Sequence, residues 1–172
     1  MAENTLIDFS RTVAVLEELA KDIREGYVAM IDDHGHTASG KLAESMQTIR
    51  VEVEDGGRAF EIVANLEDYW KYLEHGTAPH WPPIDAIRKW IEVKPVIPRP
   101  GPDGRIPTPA QLAFLISRKI SEDGTPATNL LAKTKEGIIP YYIPKIRQAL
   151  AEDAAGYIRM TWGTVKGTRV SW

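Results

Sequence analysis

Apolar residues near the start of the chain recur at alternating spacings of three and four: Leu6, Phe9, Val13, Leu16, Ala20, Ile23, Tyr27 and Met30. A turn of 3.6 residues gathers such a series on one stripe. Residues 5–31 therefore read as one long helix, roughly 40 Å at 1.5 Å per residue. Glu17, Glu18, Asp22 and Glu25 fall between the apolar positions. The narrow seam suits a helix lying on its own sheet, or one that packs in part on a neighbouring subunit.

The period then changes. "DDHGHTASG" breaks the helix with two glycines, and "KLAESM" predicts a short helical turn. Residues 47–54 alternate, with Ile49, Val51 and Val53 on one face and Arg50, Glu52 and Glu54 on the other. "DGG" is a turn signal, because glycine tolerates the positive φ of tight hairpins. "AFEIVA" alternates again, with Phe60, Ile62 and Ala64 inward. The two runs predict an antiparallel hairpin with one buried face.

Helical patterns follow. In "NLEDYWKYLEHG", Asn65 can cap, Glu67 and Asp68 suit a positive first turn, and Gly76 suits a C-terminal exit. "PIDAIRKWIEV" starts behind Pro82 and Pro83, with Ile84, Ile87 and Ile91 as its stripe and Trp90 beside it. Residues 95–109 hold six of the twelve prolines. They predict an extended, stiff arm or insertion loop, since proline can join neither a central strand nor a helix interior. Thr108, Pro109 and Gln111 form a capping-box signature. It opens a helix with Leu112, Leu115, Ile116 and Ile120 on its apolar face, ending at Gly124. An irregular stretch over 125–140 is expected before a last helix from Tyr141 to Met160, with Ile143, Ile146, Leu150, Ala154 and Tyr157 apolar. The polar tail 163–172 reads as an arm. The whole is a single α+β domain over 1–172, with no internal repeat.

Composition narrows the function classes. At 172 residues the chain is long enough for one domain with a core, and 43% hydrophobic content is ordinary for a soluble protein. The net charge of -3 and the lack of any Lys/Arg run give no support to nucleic-acid binding. There is no cysteine, which excludes disulfides, thiolate metal sites and a cysteine nucleophile. No apolar run approaches the ~20 residues of a membrane span. "MAENTLIDF" lacks the basic start of a signal peptide. The expectation is a soluble, intracellularly made chain.

Candidate chemistry is sparse. His34, His36, His75 and His80, with Asp32, Asp33 and Glu74, could in principle serve a metal-dependent hydrolase. "DDHGH" and "EHGTAPH" lack the fixed spacing on one element that zinc sites show, however. His75 in a last helical turn and His80 between prolines also fit architectural roles. No phosphate-binding loop, dinucleotide fingerprint or nucleophile elbow occurs. Ser39 and Ser45 have no orienting partners for a triad. Glu52, Glu54 and Glu61 read as solvated strand faces. No catalytic, cofactor-binding or metal residue is assigned.

The unusual feature is aromatic. Tyr69, Trp70, Tyr72, Trp81 and Trp90 crowd a short span. Such residues either fill a core or form the centre of a protein interface, where they carry rigid area at low entropy cost.

The order "SGKLAES", hairpin, "YWKYLEHGTAPHWPP", "IDAIRKWIEVK" and then a capped helix ending "ISEDGTPA" resembles tailed-bacteriophage proteins of the HK97 gp10-like group. The most specific pieces are Glu74, Gly76, Thr77, Pro79 and His80, then Pro82, Pro83 and Ile84, and then Trp90. "TASGKLAES" is similar to the family's Thr-Gly-x-Leu-x-x-Ser segment, with an insertion between Thr37 and Gly40. The resemblance spans about 35–155; the 95–109 stretch is longer than usual. It implies a structural virion protein, not an enzyme, with no cofactor. It implies a neck or tail-completion protein, or alternatively a tail terminator, at the head–tail junction. It further implies a sixfold-compatible ring of copies, assembled in the host bacterial cytoplasm. The partners implied are head-completion or connector proteins and tail tube or terminator proteins. DNA would be passing cargo only, and no membrane is involved. On this reading Tyr69, Trp70, Glu74, His75, Gly76, Thr77, Pro79, His80, Trp81, Pro82, Pro83 and Trp90 form a stiff structural motif and interface.

Overall fold

A computed structural model describes residues 7–36, 40–46, 49–54, 59–94, 96–101 and 104–163. The fold is α+β: six helices and one two-stranded antiparallel sheet among the described residues.

Helix α1 spans Ser10–Asp33. It starts later than the expected residue 5: residues 7–9 precede it without helical structure, and Leu6 lies outside the described residues. Asp8 fixes the start, its carboxylate accepting the Ser10 N–H at 3.0 Å. The buried face runs through Thr12, Leu16, Leu19, Ala20, Ile23, Tyr27 and Ile31. Val13 and Met30 are only half-buried. The stripe is thus broader than a two-position seam, as a helix buried in a globular core requires. Helix α2, Lys41–Ser45, buries Leu42, and Met46 is buried just beyond it.

Strands β1 (Arg50–Glu54) and β2 (Ala59–Val63) pair antiparallel, with Val51 opposite Ile62 and Val53 opposite Phe60. The expected inward positions do face each other across the pair, but no residue of either strand is fully buried and Val53 is exposed, so the expected buried face is only partly covered. The "DGG" turn lies outside the described residues.

Helix α3 covers only Trp70–His75, with Tyr69 at its N-cap. The expected Asn65 cap is not used. Gly76 ends the helix as expected, at φ 69°. Helix α4, Ile84–Val93, follows Pro83 and packs against helix α5, Pro109–Asp123. Ile87 and Ile91 are half-buried, and no residue of α4 is fully buried. The α5 capping box is present. Gln111 N–H donates to Thr108 Oγ1 at 3.3 Å, and Thr108 N–H donates to Gln111 Oε1 at 2.9 Å. Its buried face is Ala113 and Ser117, while Leu115, expected inward, is exposed.

Between α4 and α5 the described proline-rich residues form neither helix nor strand, as expected, and Ile97 is 90% exposed. Helix α6 departs most from expectation. It spans Leu130–Gly163 and runs through both Pro140 and Pro144. Leu130, Thr134, Tyr142, Ala149 and Asp153 are its buried positions, whereas Ile143 and Leu150 are exposed. Two polar partners draw the helix round. Tyr142 Oη donates to Asp22 at 2.6 Å, and Asp153 Oδ2 accepts from Thr12 Oγ1 at 2.7 Å and Thr12 N–H at 2.9 Å. The arm after Gly163 lies outside the described residues.

The chain divides into two compact units. One comprises Met1–Gly26, Thr48–Asn65 and Thr134–Trp172; the other comprises Tyr27–Gln47 and Leu66–Lys133. In the first, the Thr12–Asp153 and Asp22–Tyr142 pairs join α1 to α6, and Phe9 meets Phe60 edge-on at 5.3 Å. A Cβ on Gly26 would stand only 3.0 Å from Thr134 Cγ2, so glycine sets how closely these helices approach. The second unit carries the aromatic-rich stretch.

Candidate functional site

The stretch from Tyr69 to Pro83 leaves α3 at Gly76 and immediately meets a distant part of the chain. Thr77 N–H donates to Thr125 O at 3.0 Å, and Thr125 N–H donates to Thr77 O at 3.1 Å. Their hydroxyls lie 2.9 Å apart. Each threonine follows a glycine at a helix exit, Gly76 after α3 and Gly124 after α5. Both glycines combine positive φ with extended ψ, 69° and −170° for Gly76 and 73° and −159° for Gly124. That region belongs essentially to glycine. A Cβ on Gly76 would fall 2.3 Å from Thr125 O, and one on Gly124 would fall 2.1 Å from Thr77 O. The two Gly-Thr exits are packed backbone to backbone.

Glu74 completes the clamp. Its side chain is buried, and its carboxylate accepts the N–H groups of Leu131 and Ala132 at 2.9 Å each. These are free donors of the first turn of α6, where a negative charge is favoured. In return, α3 gives its last carbonyls to the strand of chain leading into α6. Thr128 Oγ1 donates to Leu73 O at 2.7 Å, and Asn129 N–H donates to Glu74 O at 3.1 Å. Asn129 holds φ 52°, a turn that asparagine tolerates better than most residues.

The other predicted site residues surround this clamp. Trp70 is half-buried, and its ring lies 6.0 Å from that of His75. Pro82 is buried, Pro79 and Pro83 are exposed, and Pro83 occupies the N-cap of α4. Trp81 is 51% exposed and meets Phe114 of α5 at 5.8 Å. His80 Nδ1 lies 3.0 Å from Ala78 O. Tyr69, Tyr72 and Trp90 converge on a cleft of about 570 Å³, completed by Leu73, Pro126 and Lys94. Tyr72 is 62% exposed. Lys94 Nζ sits 5.3 Å from the Trp90 ring centre and donates to Gly35 O.

The electrostatics are those of a packed frame. Burial, followed by the charge of Glu74, pushes the Tyr27 phenol up to about 12. Burial and the nearby Lys94 lower His36. The rings of His34 and His36 stack at 6.5 Å, and His34 Nδ1 lies 2.9 Å from Met30 O. Among the described residues no group of three His, Asp or Glu side chains is placed to hold a metal ion. No helix among the described residues is long and apolar enough to cross a membrane. What the arrangement offers is aromatic faces beside the Lys94 ammonium on a braced backbone.

Sequence reasoning placed Gly124 at the end of α5 but missed its contact with Thr77, and it missed Thr125 and the capping role of Glu74. A second Gly-Thr beside a proline, in "DGTPA", was the one available signal. No protein-family model, curated protein or solved structure matches the chain.

Proposed function

We propose that the protein is a structural component of a tailed-bacteriophage particle, one that forms a ring at the head–tail junction as a neck or tail-completion protein. The resemblance of the "SGKLAES" and "EHGTAPHWPP" segments to the HK97 gp10-like group supplies the particle. The observation that carries the assembly role is the clamp itself. Gly76-Thr77, Gly124-Thr125 and Glu74 fix three helix ends, while Tyr69, Tyr72, Trp81 and Trp90 stay exposed around them. Large rigid aromatics on a stiff frame are the composition of interface centres. Among the described residues the sheet has two strands, and its outer edges suit pairing with another chain.

The test is electron microscopy of lysates from phage carrying a nonsense mutation in this gene. Filled heads beside free tails of normal length are expected. Tails of uncontrolled length would move the role to termination of the tail tube, and normal infectious particles would overturn the reading.

A further inference from the structure

The cleft of about 570 Å³ formed by Tyr69, Tyr72 and Trp90 lies wholly within one compact unit. Its lining is mostly apolar, three aromatic rings together with Leu73 and Pro126. The two threonine hydroxyls on it are already engaged. Thr128 Oγ1 donates to Leu73 O, and Thr125 Oγ1 pairs with Thr77 Oγ1. His36, also on the lining, is held toward its neutral form, first by burial and then by Lys94. Lys94 is thus the one charged group of the cleft.

Lys94 is half-buried and fixed in place. Its Nζ donates to Gly35 O and sits 5.3 Å from the Trp90 ring centre. Neither partner carries a charge. No carboxylate lines the cleft, and Lys94 makes no ion pair among the described residues. An ammonium has three donors, so two N–H groups remain for a ligand. A cation already positioned in an aromatic cleft, with no counter-charge beside it, attracts an anion at little ordering cost.

We propose that this cleft binds a small aromatic carboxylate, its ring against Tyr72 and Trp90 and its carboxylate on Lys94 Nζ. One ammonium balances one negative charge, which a carboxylate carries and a phosphate monoester exceeds. A flat ring suits aromatic walls, because rings pack offset or edge-on and lose little conformational freedom. A stable protein interface engages roughly 20–30 residues on each side, whereas this volume is that of a small-molecule site, about 300–1,000 Å³. The inference goes beyond the head–tail reading and does not depend on it.

The test uses the full-length, isotope-labelled protein, titrated with 2-naphthoate and with the uncharged 2-naphthamide. Saturable amide shifts at His36, Tyr72, Trp90 and Lys94 are expected in the nuclear magnetic resonance spectrum. The carboxylate should bind about fivefold more tightly than the amide. Lys94→Gln should bring the two probes to equal affinity while both still bind. Trp90→Ala should weaken both several-fold. Tyr72→Ala should do the same, and Tyr72 is exposed, so its truncation leaves the packing intact. Equal affinity of the two probes for the native chain, or a preference for the carboxylate that survives Lys94→Gln, would overturn the inference. So would unchanged affinity in both ring variants, no saturable shift at these positions, or shifts confined to the separate cleft of Ile106 and Phe114.

Discussion

Thr77 and Thr125 lie 48 positions apart, yet they exchange both backbone hydrogen bonds of an antiparallel pair. It is a bridge of one residue on each side, not a strand. Two helix exits are tied at the first residue after their glycines. The direction in which the chain leaves α3 and α5 is therefore set by backbone contact, with no freedom left to a side chain.

The glycines on either side should be irreplaceable. Gly76→Ala or Gly124→Ala places a Cβ against a carbonyl oxygen at 2.3 or 2.1 Å, in a backbone region closed to alanine. Each should cost at least ~2 kcal/mol by urea denaturation, at the upper end for a glycine-only conformation. Gly137→Ala is the contrasting case. It sits within α6 with open space at its Cβ and no positive φ. There alanine should stabilise by about 0.5–1 kcal/mol, as helix propensity dictates. Equal losses at all three would show that the bridge plays no part.

Glu74→Ala should unfasten the first turn of α6. It leaves the N–H groups of Leu131 and Ala132 without their acceptor, at about 1–3 kcal/mol. Glu74→Gln keeps one acceptor oxygen and should fall between. Amide hydrogen exchange at 131 and 132 should accelerate in the same order. Unchanged exchange in Glu74→Ala would mean that water serves these donors as well.

What the sequence could disclose follows the range of each interaction. The Thr108–Gln111 box, the Gly76 exit and the alternation of the two hairpin strands are set within a few residues, and each was readable. Leu16, Ala20, Ile23 and Tyr27 were readable as core from their period. Glu74 looked like any polar helix residue, because its partners lie 57 and 58 positions away. Pro140 and Pro144 pointed away from helix, yet α6 absorbs both. Four residues apart, they lose their donors on one face, and both are exposed, so water can reach the freed carbonyls. The rotation of α6 was hidden for another reason. Tyr142 and Asp153 are buried only because Asp22 and Thr12 meet them from α1.

Asp153 should govern part of the acid sensitivity. Burial alone would raise its carboxyl, but the Thr12 hydroxyl and N–H, with Arg11, outweigh that and lower it below 3.8. An acid with a depressed folded pKa adds stability above its unfolded value and loses it as pH falls through the folded one. Asp153→Asn should therefore be less stable at neutral pH and lose less stability than the native chain as pH drops below about 4. Parallel stability curves for the two proteins through that range would refute the assignment.

At the alkaline end two phenols should report on the fold. Of the six tyrosines, Tyr27 and Tyr142 are pushed up to about 12. Tyr27 is raised first by burial, and Tyr142 first by the hydrogen bond it donates to Asp22. A phenol with a raised folded pKa contributes stability that is complete below its unfolded value of 10.0 and is lost as pH rises through 12. Phenolate absorbance should thus rise in an early phase, with a late phase that coincides with loss of helical circular dichroism. Tyr142→Phe should reduce the late phase and leave the contribution of Tyr27. Asp22→Asn should move Tyr142 into the early phase while Tyr27 stays late. Complete ionisation near pH 10 with the helices intact would mean that neither phenol is held as described.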